Sequence, residues 1–308
     1  MPVKSNGDDA TRTGRGLPVA WFMQRFFTES QRSASTFPQS SDLPAEPMSR
    51  NHRAMRFGRA AGFVFGIGAQ VGFLITIWYL YAFLKDGRPA QGQAWFLIDL
   101  VLALQFAAAH SSLLYPPVRR YLTQVFPAGL YGCLFCVVTC LNLAVIFVFW
   151  RGSAGECWNC TGLAASAMRL GFYLSWVALF YSLHLSGLGR QTGLTQWLHW
   201  VNRRKPPIPV FEIRGVYRWM RHPIYLSFLG LIWFTPRMAW DHALLTFVWT
   251  GYILAGSYLK DERLARYVGE PYRRYQEQVA GYPGMFFGPL GRRRPAASAS
   301  AQRIASPS

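Results

Sequence analysis

Apolar blocks alternate with charged seams along this chain. Ala60–Leu84 carries no charge and is long enough to cross the hydrocarbon core of a bilayer. Ala94–Tyr115 is a second such block, with Asp99, Gln105 and His110 inside it. Ala128–Trp150 is a third, and Leu170–Leu188 a fourth, with His184 near its end. Two shorter blocks, Ile224–Thr235 and Ala243–Leu259, flank Pro236-Arg237, which reads as a turn between the arms of a tilted helical hairpin. The pattern predicts an all-α integral membrane helical bundle of five to six transmembrane spans. Within the first block, Gly62 with Gly66 and Gly68 with Gly72 form two small-xxx-small pairs suited to close helix packing.

Composition sharpens this reading. The chain has 308 residues, a formal net charge of +18 and 51% hydrophobic residues. Such a charge suits nucleic acid, but the basic residues gather in the seams between uncharged blocks, as in membrane proteins, so nucleic acid is not the expected partner and the bilayer is. Arg53, Arg56 and Arg59 precede the first block, Arg119 and Arg120 follow the second, and Arg190, Arg203, Arg204, Lys205, Arg214, Arg218 and Arg221 follow the fourth. The connections at 85–93 and 151–169 are poorer in Lys and Arg. The positive-inside rule then puts both termini in the cytoplasm. Four regions are expected: a disordered cytoplasmic tail over 1–55, a four-span membrane bundle over 56–190, a basic and then apolar region with the hairpin over 191–288, and a disordered basic tail over 289–308. Cys157 and Cys160 on an outer loop suit a small disulfide in an oxidising compartment. Cys133, Cys136 and Cys140 share one helical face as packing residues, and no metal site is expected.

The candidate chemistry lies at Gly215–Leu226. Pro223 lacks an N–H, is favoured at the first position of a helix, and biases His222 away from helical geometry. A helix therefore starts at Pro223, with the amides of Ile224 and Tyr225 free to bind a carboxylate or phosphate. Tyr217, Arg218, Arg221, His222 and Tyr225 crowd that point into a cationic, aromatic anion pocket on the cytosolic side. Arg218 and Arg221 equally suit lipid phosphates, and Tyr217, Trp219 and Tyr225 equally suit an interfacial aromatic belt.

The pattern Gly215-x-Tyr217-x-x-x-Arg221-His222-Pro223-x-Tyr225 resembles the cofactor motif of the isoprenylcysteine carboxyl methyltransferase superfamily, which are integral membrane enzymes. Asp261-Glu262-Arg263-Leu264, followed by Gly269, Tyr272 and Tyr275, resembles the second half of that motif. Phe106-x-x-x-His110-Ser111, His184–Gln191 and Thr235-Pro236 are similar to the bacterial methanethiol S-methyltransferase branch, so the resemblance covers roughly residues 95–288. It implies S-adenosyl-L-methionine as cofactor, held by Tyr217, Arg221, His222, Pro223, Ile224, Tyr225, Asp261 and Glu262. It implies methyl transfer to a small or lipophilic acceptor, a small thiol such as methanethiol in first place, in a bacterial inner membrane. A carboxyl or phospholipid methyltransferase of the same superfamily, or a non-catalytic protein associated with denitrification or respiratory complexes, are the alternatives. The acidic pair is out of step with the family: Lys260 and Asp261 hold its two positions, with Glu262 one step later. Gly256 stands where the prenylcysteine enzymes have an Arg, which counts against a prenylated substrate. A thiol acceptor must lose its proton, and His110 and His184, both near the cytosolic ends of their spans, are the candidate catalytic bases.

Overall fold

A computed structural model describes residues 58–92, 94–208 and 210–293; the tail expected over 1–55 and the chain beyond 293 lie outside the described residues. Four helices are long and apolar enough to cross a membrane. They are α1 (Arg59–Asp86), α2 (Trp95–Leu114), α4 (Tyr131–Phe149, entered through a single turn at Ala128–Leu130) and α5 (Gly162–Ser186). The short α3 (Pro116–Val125) links α2 to α4, and the short helices α6 (Leu188–Gln191) and α7 (Leu194–Val201) follow α5. The hairpin comprises α8 (Pro223–Trp233) and α9 (Trp240–Tyr267), and α10 (Glu270–Gln278) lies beyond it. α1 packs on α4, α4 on α2, α2 on α9, α9 on α8, and α8 on α5. Tyr81 on α1 meets Phe172 and Trp176 on α5, at ring separations of 6.0 and 6.1 Å, so the layers close into a bundle.

The hairpin arms are unequal. α8 has 11 residues, about 16 Å at 1.5 Å per residue, and reaches only partway through a hydrocarbon core of about 30 Å. α9 has 28 residues and runs past its apolar stretch, which carries Asp261 out to the end of the bundle where α8 begins. The fourth span starts at Gly162, earlier than the expected Leu170, because its single charge, Arg169, is exposed and can snorkel along an otherwise apolar surface.

At the opposite end the turn is built differently from the expectation. Arg237–Ala239 forms a strand, β2, paired antiparallel with β1 (Glu156–Asn159), and Arg237 Nε lies 2.5 Å from Glu156 Oε1. Cys157 lies within β1 and Cys160 immediately follows it, and both are free thiols. The disulfide that the sequence suggests is therefore not present between them. Asp99 is buried and accepts the Arg151 amide at 2.9 Å. Asp241 accepts Trp150 Nε1 at 3.1 Å, the Ser153 amide at 3.0 Å and the Ser153 hydroxyl at 2.9 Å. Two carboxylates therefore staple the 150–153 connection onto the bundle.

The two glycine pairs of α1 have different fates. A Cβ on Gly62 would lie 2.4 Å from the Trp200 ring, and one on Gly66 2.1 Å from the Trp197 ring. Trp197 Nε1 also donates to the Gly62 carbonyl at 3.0 Å. That pair seats the amphipathic α7 rather than a second membrane helix, and it brings residues 194–201 into the bundle. Gly68 and Gly72 have nothing within 4 Å of such a Cβ. Gly66→Ala should therefore destabilise the protein by about 1–3 kcal/mol through overpacking against Trp197. Gly72→Ala should stay within about 0.5 kcal/mol of the parent. Thermal unfolding in detergent, followed by tryptophan fluorescence, compares the two.

Candidate functional site

The helix start at Pro223 is where the sequence places it. Pro223 is the first residue of α8, and His222 precedes it at φ −122°, ψ 49°, with no side chain capping the helix. The Leu226 amide bonds the His222 carbonyl at 3.0 Å, so the Ile224 and Tyr225 amides come before the first carbonyl that a helix can offer. The approach is a single turn at Gly215–Arg218. Gly215 has φ +52°, and a Cβ there would meet Leu185 at 2.6 Å and the Tyr181 hydroxyl at 2.8 Å, which explains the glycine that opens the motif. Tyr217 reaches the Ser182 carbonyl at 3.4 Å, tying the turn to α5.

Beneath this turn lies a buried ion pair. The Arg221 and Asp261 side chains are both 0% exposed. Arg221 Nε and Nη2 donate to Asp261 Oδ2 at 3.0 and 2.7 Å. Nη1 donates to the carbonyls of Gln276 at 3.4 Å and Gly291 at 3.2 Å, and to that of Val279. The Tyr272 hydroxyl donates to Asp261 Oδ1 at 2.5 Å. The main chain continues the wrap: the Arg221 amide bonds Ala280 O at 3.0 Å, and the His222 amide bonds Gly281 O at 3.1 Å. The Tyr275 hydroxyl donates to the Tyr217 carbonyl, closing α10 over the turn. Residues 289–293, expected to belong to a disordered tail, are part of this assembly through Leu290, Gly291 and Arg293.

His222 is the member of the cluster left with capacity. It is 1% exposed, and its ring centroid lies 5.6 Å from those of Tyr225 and Tyr282. Nε2 lies 3.1 Å from Asp261 Oδ1, close enough for electrostatic pairing but off the hydrogen-bond axis, and Nδ1 has no partner among the described residues. Burial pulls the imidazole below its ordinary pKa, and Asp261 only partly opposes this, so the ring is neutral at neutral pH. Burial also pushes the Tyr282 phenol up to about 12 and raises those of Tyr272 and Tyr275, so all three remain O–H donors. Gln276 is fully buried, and neither Nε2 nor Oε1 of its side chain has a partner among the described residues. An unmet buried polar group costs about 1–3 kcal/mol. The unpartnered Nδ1 of His222, next to the uncapped start of α8, is what a polar ligand site presents.

A second polar cluster lies deeper in the bundle. His110 on α2 has Nδ1 3.4 Å from the Thr139 hydroxyl on α4, and Phe106, Phe135 and Tyr252 ring it at centroid distances of 5.6, 4.9 and 6.5 Å. Ser111 donates to the Tyr252 hydroxyl at 3.3 Å, which connects this cluster to α9.

Comparison with known proteins now decides the family. A methanethiol S-methyltransferase from a Pseudomonas species is 32% identical over 76% of this chain and 94% of its own length. One from Mycobacterium tuberculosis is 28% identical, over 70% of this chain and 93% of its own. Nurim of Xenopus laevis is 26% identical over 54% of this chain. The chain belongs to the methanethiol S-methyltransferase family. No protein-family model and no solved structure matches it.

Within this family member the expected site residues divide. Tyr217, Arg221, His222, Pro223, Ile224, Tyr225 and Asp261 come together. Arg221 and Asp261, expected to face the cofactor, face each other, with Tyr272 and backbone carbonyls as further partners. Glu262, one step further round α9, pairs with Arg293, whereas Asp261 pairs with Arg221. His184 is exposed on α5, outside the ring cluster that holds His110. Trp219 is 81% exposed and Arg218 is exposed, as interfacial anchors are. Sequence reasoning missed Gln276 and Tyr282. Gln276 follows Tyr275 in a helix whose composition is polar throughout, so nothing in the pattern marks it as buried.

Asp261→Ala should destabilise the protein by about 3–5 kcal/mol, because it leaves the Arg221 charge buried and alone; chemical denaturation measures this. His222 sets a pH dependence. Its folded pKa lies below the unfolded value, so the unfolded chain takes up more protons below about pH 6.5. Its contribution is full above that pH and is lost on acidification. Melting temperature should fall between pH 7 and pH 5, and His222→Asn should fall less steeply over the same range.

Proposed function

We propose that this chain binds S-adenosylmethionine at the start of α8 and transfers its methyl group to a small thiol, with methanethiol the leading candidate. The proposed setting is a bacterial inner membrane with both termini cytosolic, in keeping with the Arg-rich seams at the Arg221 end of the bundle. The observation that carries the reading is His222: buried, neutral, with Nδ1 unpartnered, at an uncapped helix N-terminus. The names of the bacterial relatives supply the acceptor class. No observation in the structure favours a carboxyl or lipid acceptor.

The residues present fit the cofactor. The Ile224 and Tyr225 amides and the positive end of the α8 dipole suit its carboxylate, and His222 Nδ1 adds a further polar contact. The Tyr225 and Tyr282 rings offer aromatic faces beside His222, suited to adenine or to a cationic centre. The orphaned Gln276 amide can donate and accept at once. When bound, the cofactor supplies an electrophilic methyl group on a sulfonium. Displacement at such a carbon needs chiefly alignment, and the Arg221–Asp261 pair provides it by fixing the loop in front of α8.

The acceptor side requires proton removal, because the thiolate is the nucleophile and a small thiol is mostly protonated at neutral pH. His110 is the proposed base. Thr139 holds its Nδ1, and the surrounding aromatic rings offer an apolar, polarisable seat for a thiol. Asp261 is unsuited to that role, since its carboxylate is already engaged and its charge would repel a thiolate.

Purified protein given methyl-labelled S-adenosylmethionine and methanethiol should form labelled dimethyl sulfide; absence of labelled thioether across a thiol panel would overturn the reading. His222→Ala should weaken cofactor binding by about tenfold or more in calorimetric titration, the loss of roughly 1.4 kcal/mol. His110→Ala should lower turnover at neutral pH while cofactor affinity stays within about twofold. That deficit should shrink as pH rises and the thiol ionises unaided. Full turnover in His110→Ala at neutral pH would return this histidine to a packing role.

A further inference from the structure

The end of the bundle opposite Arg221 holds a cleft of about 810 Å³ between the end of α1, the first turns of α5 and the α8–α9 turn. Its charge runs against the surrounding trend. At this end the described chain carries Lys85, Arg88, Arg151, Arg169 and Arg237, and all but Arg151 line the one cleft. Two carboxylates line it as well, Asp86 and Asp241, leaving a formal excess of positive charge. Asp86 sits 3.6 Å from Lys85, and Asp241 is already engaged by Trp150 and Ser153.

The cations differ in how far the fold has used them. Arg88 donates to the Phe147 carbonyl, and Arg237 pairs with Glu156. Arg169 has no partner among the described residues and is exposed. Beside these charges the wall is apolar: Phe172 is buried, and Phe234 is 42% exposed. Cations converging over an apolar wall at a helix-bundle end match a phosphate with an attached apolar chain, because a guanidinium binds phosphate in a forked geometry and the wall accepts hydrocarbon.

We propose that this cleft is a binding site for a phosphate-bearing anion, with Arg169 as its free guanidinium. The site is separate from the one at His222 and stands whether or not the methyl-transfer reading does. Two sources share this chemistry, an anionic phospholipid headgroup and free phosphate. Full-length protein in neutral maltoside detergent is titrated with dihexanoylphosphatidylglycerol, dihexanoylphosphatidylcholine and inorganic phosphate, and tryptophan fluorescence and melting temperature are followed. Saturable binding of the glycerol lipid, tighter than that of the choline lipid, supports the proposal and names the lipid as source. Saturable binding of inorganic phosphate at equal strength supports it with a soluble source. Arg169→Gln should weaken whichever ligand binds by about fivefold, and Arg169→Lys should restore most of the loss. Failure of both phosphatidylglycerol and phosphate to bind more tightly than phosphatidylcholine, or equal binding in parent and Arg169→Gln with both proteins folded, overturns it.

Discussion

The pairing of Arg221 with Asp261 is the constraint around which the methyltransferase end is built. A guanidinium and a carboxylate removed from water each carry a desolvation cost of several kcal/mol, and the arrangement persists only where every remaining donor and acceptor is met. Here that requirement recruits distant parts of the chain. Tyr272 completes the carboxylate, while carbonyls of Gln276, Val279 and Gly291 complete the guanidinium. The loop before α8, the end of α9, α10 and the segment through Arg293 are thus held together by the need to satisfy two charges. A hydrophobic substitute could match the stability, but it would not impose the same register on four segments.

The opposite end of the bundle follows the same logic with weaker means. α8 is too short to cross the membrane, so the chain must turn within or near the apolar layer, where unpaired backbone is costly. The β1–β2 pairing, the Cys160 amide on the Pro236 carbonyl at 2.8 Å and the Asp241 staple meet that demand. With its turn fixed there, α9 runs the full depth of the bundle and delivers Asp261 opposite the start of α8. The position of the site therefore depends on how the far turn is secured.

Much of the frame could be read from the sequence because its causes are local. Apolar blocks of sufficient length define α1, α2 and α4, and Pro223 defines the start of α8 to the residue. What escaped reading depends on three-dimensional partners. Asp99 and Asp241 resemble solvated boundary residues until the backbone donors they accept from are seen. Asp261 and Glu262 are neighbours of equal charge in sequence, and only the rotation of about 100° per residue on a helix separates a buried hub from a surface pair with Arg293. His184 sat at the right depth, but depth says nothing of which face of α5 it occupies. Gln276 and Tyr282 became visible only through burial.

Depth along α9 also constrains how the proposed reaction is laid out. Tyr252, which touches the His110 cluster, precedes Asp261 by nine residues, about 13 Å along the helix axis. The start of α8 and the His110 imidazole are therefore at different levels of the bundle. In the proposed reaction, charged recognition is assigned to the rim, where the start of α8, His222 and the phenols of Tyr225 and Tyr282 gather. Proton removal is assigned to a level lined by Phe106, Phe135 and Tyr252, where a small uncharged thiol can partition from the lipid. A methyl donor anchored by its carboxylate at the rim must direct its reactive carbon inward to meet such an acceptor. That division keeps the carboxylate of Asp261 away from the developing thiolate. On the proposed reading, it would also let one short chain hold a highly polar donor and an apolar acceptor in separate surroundings.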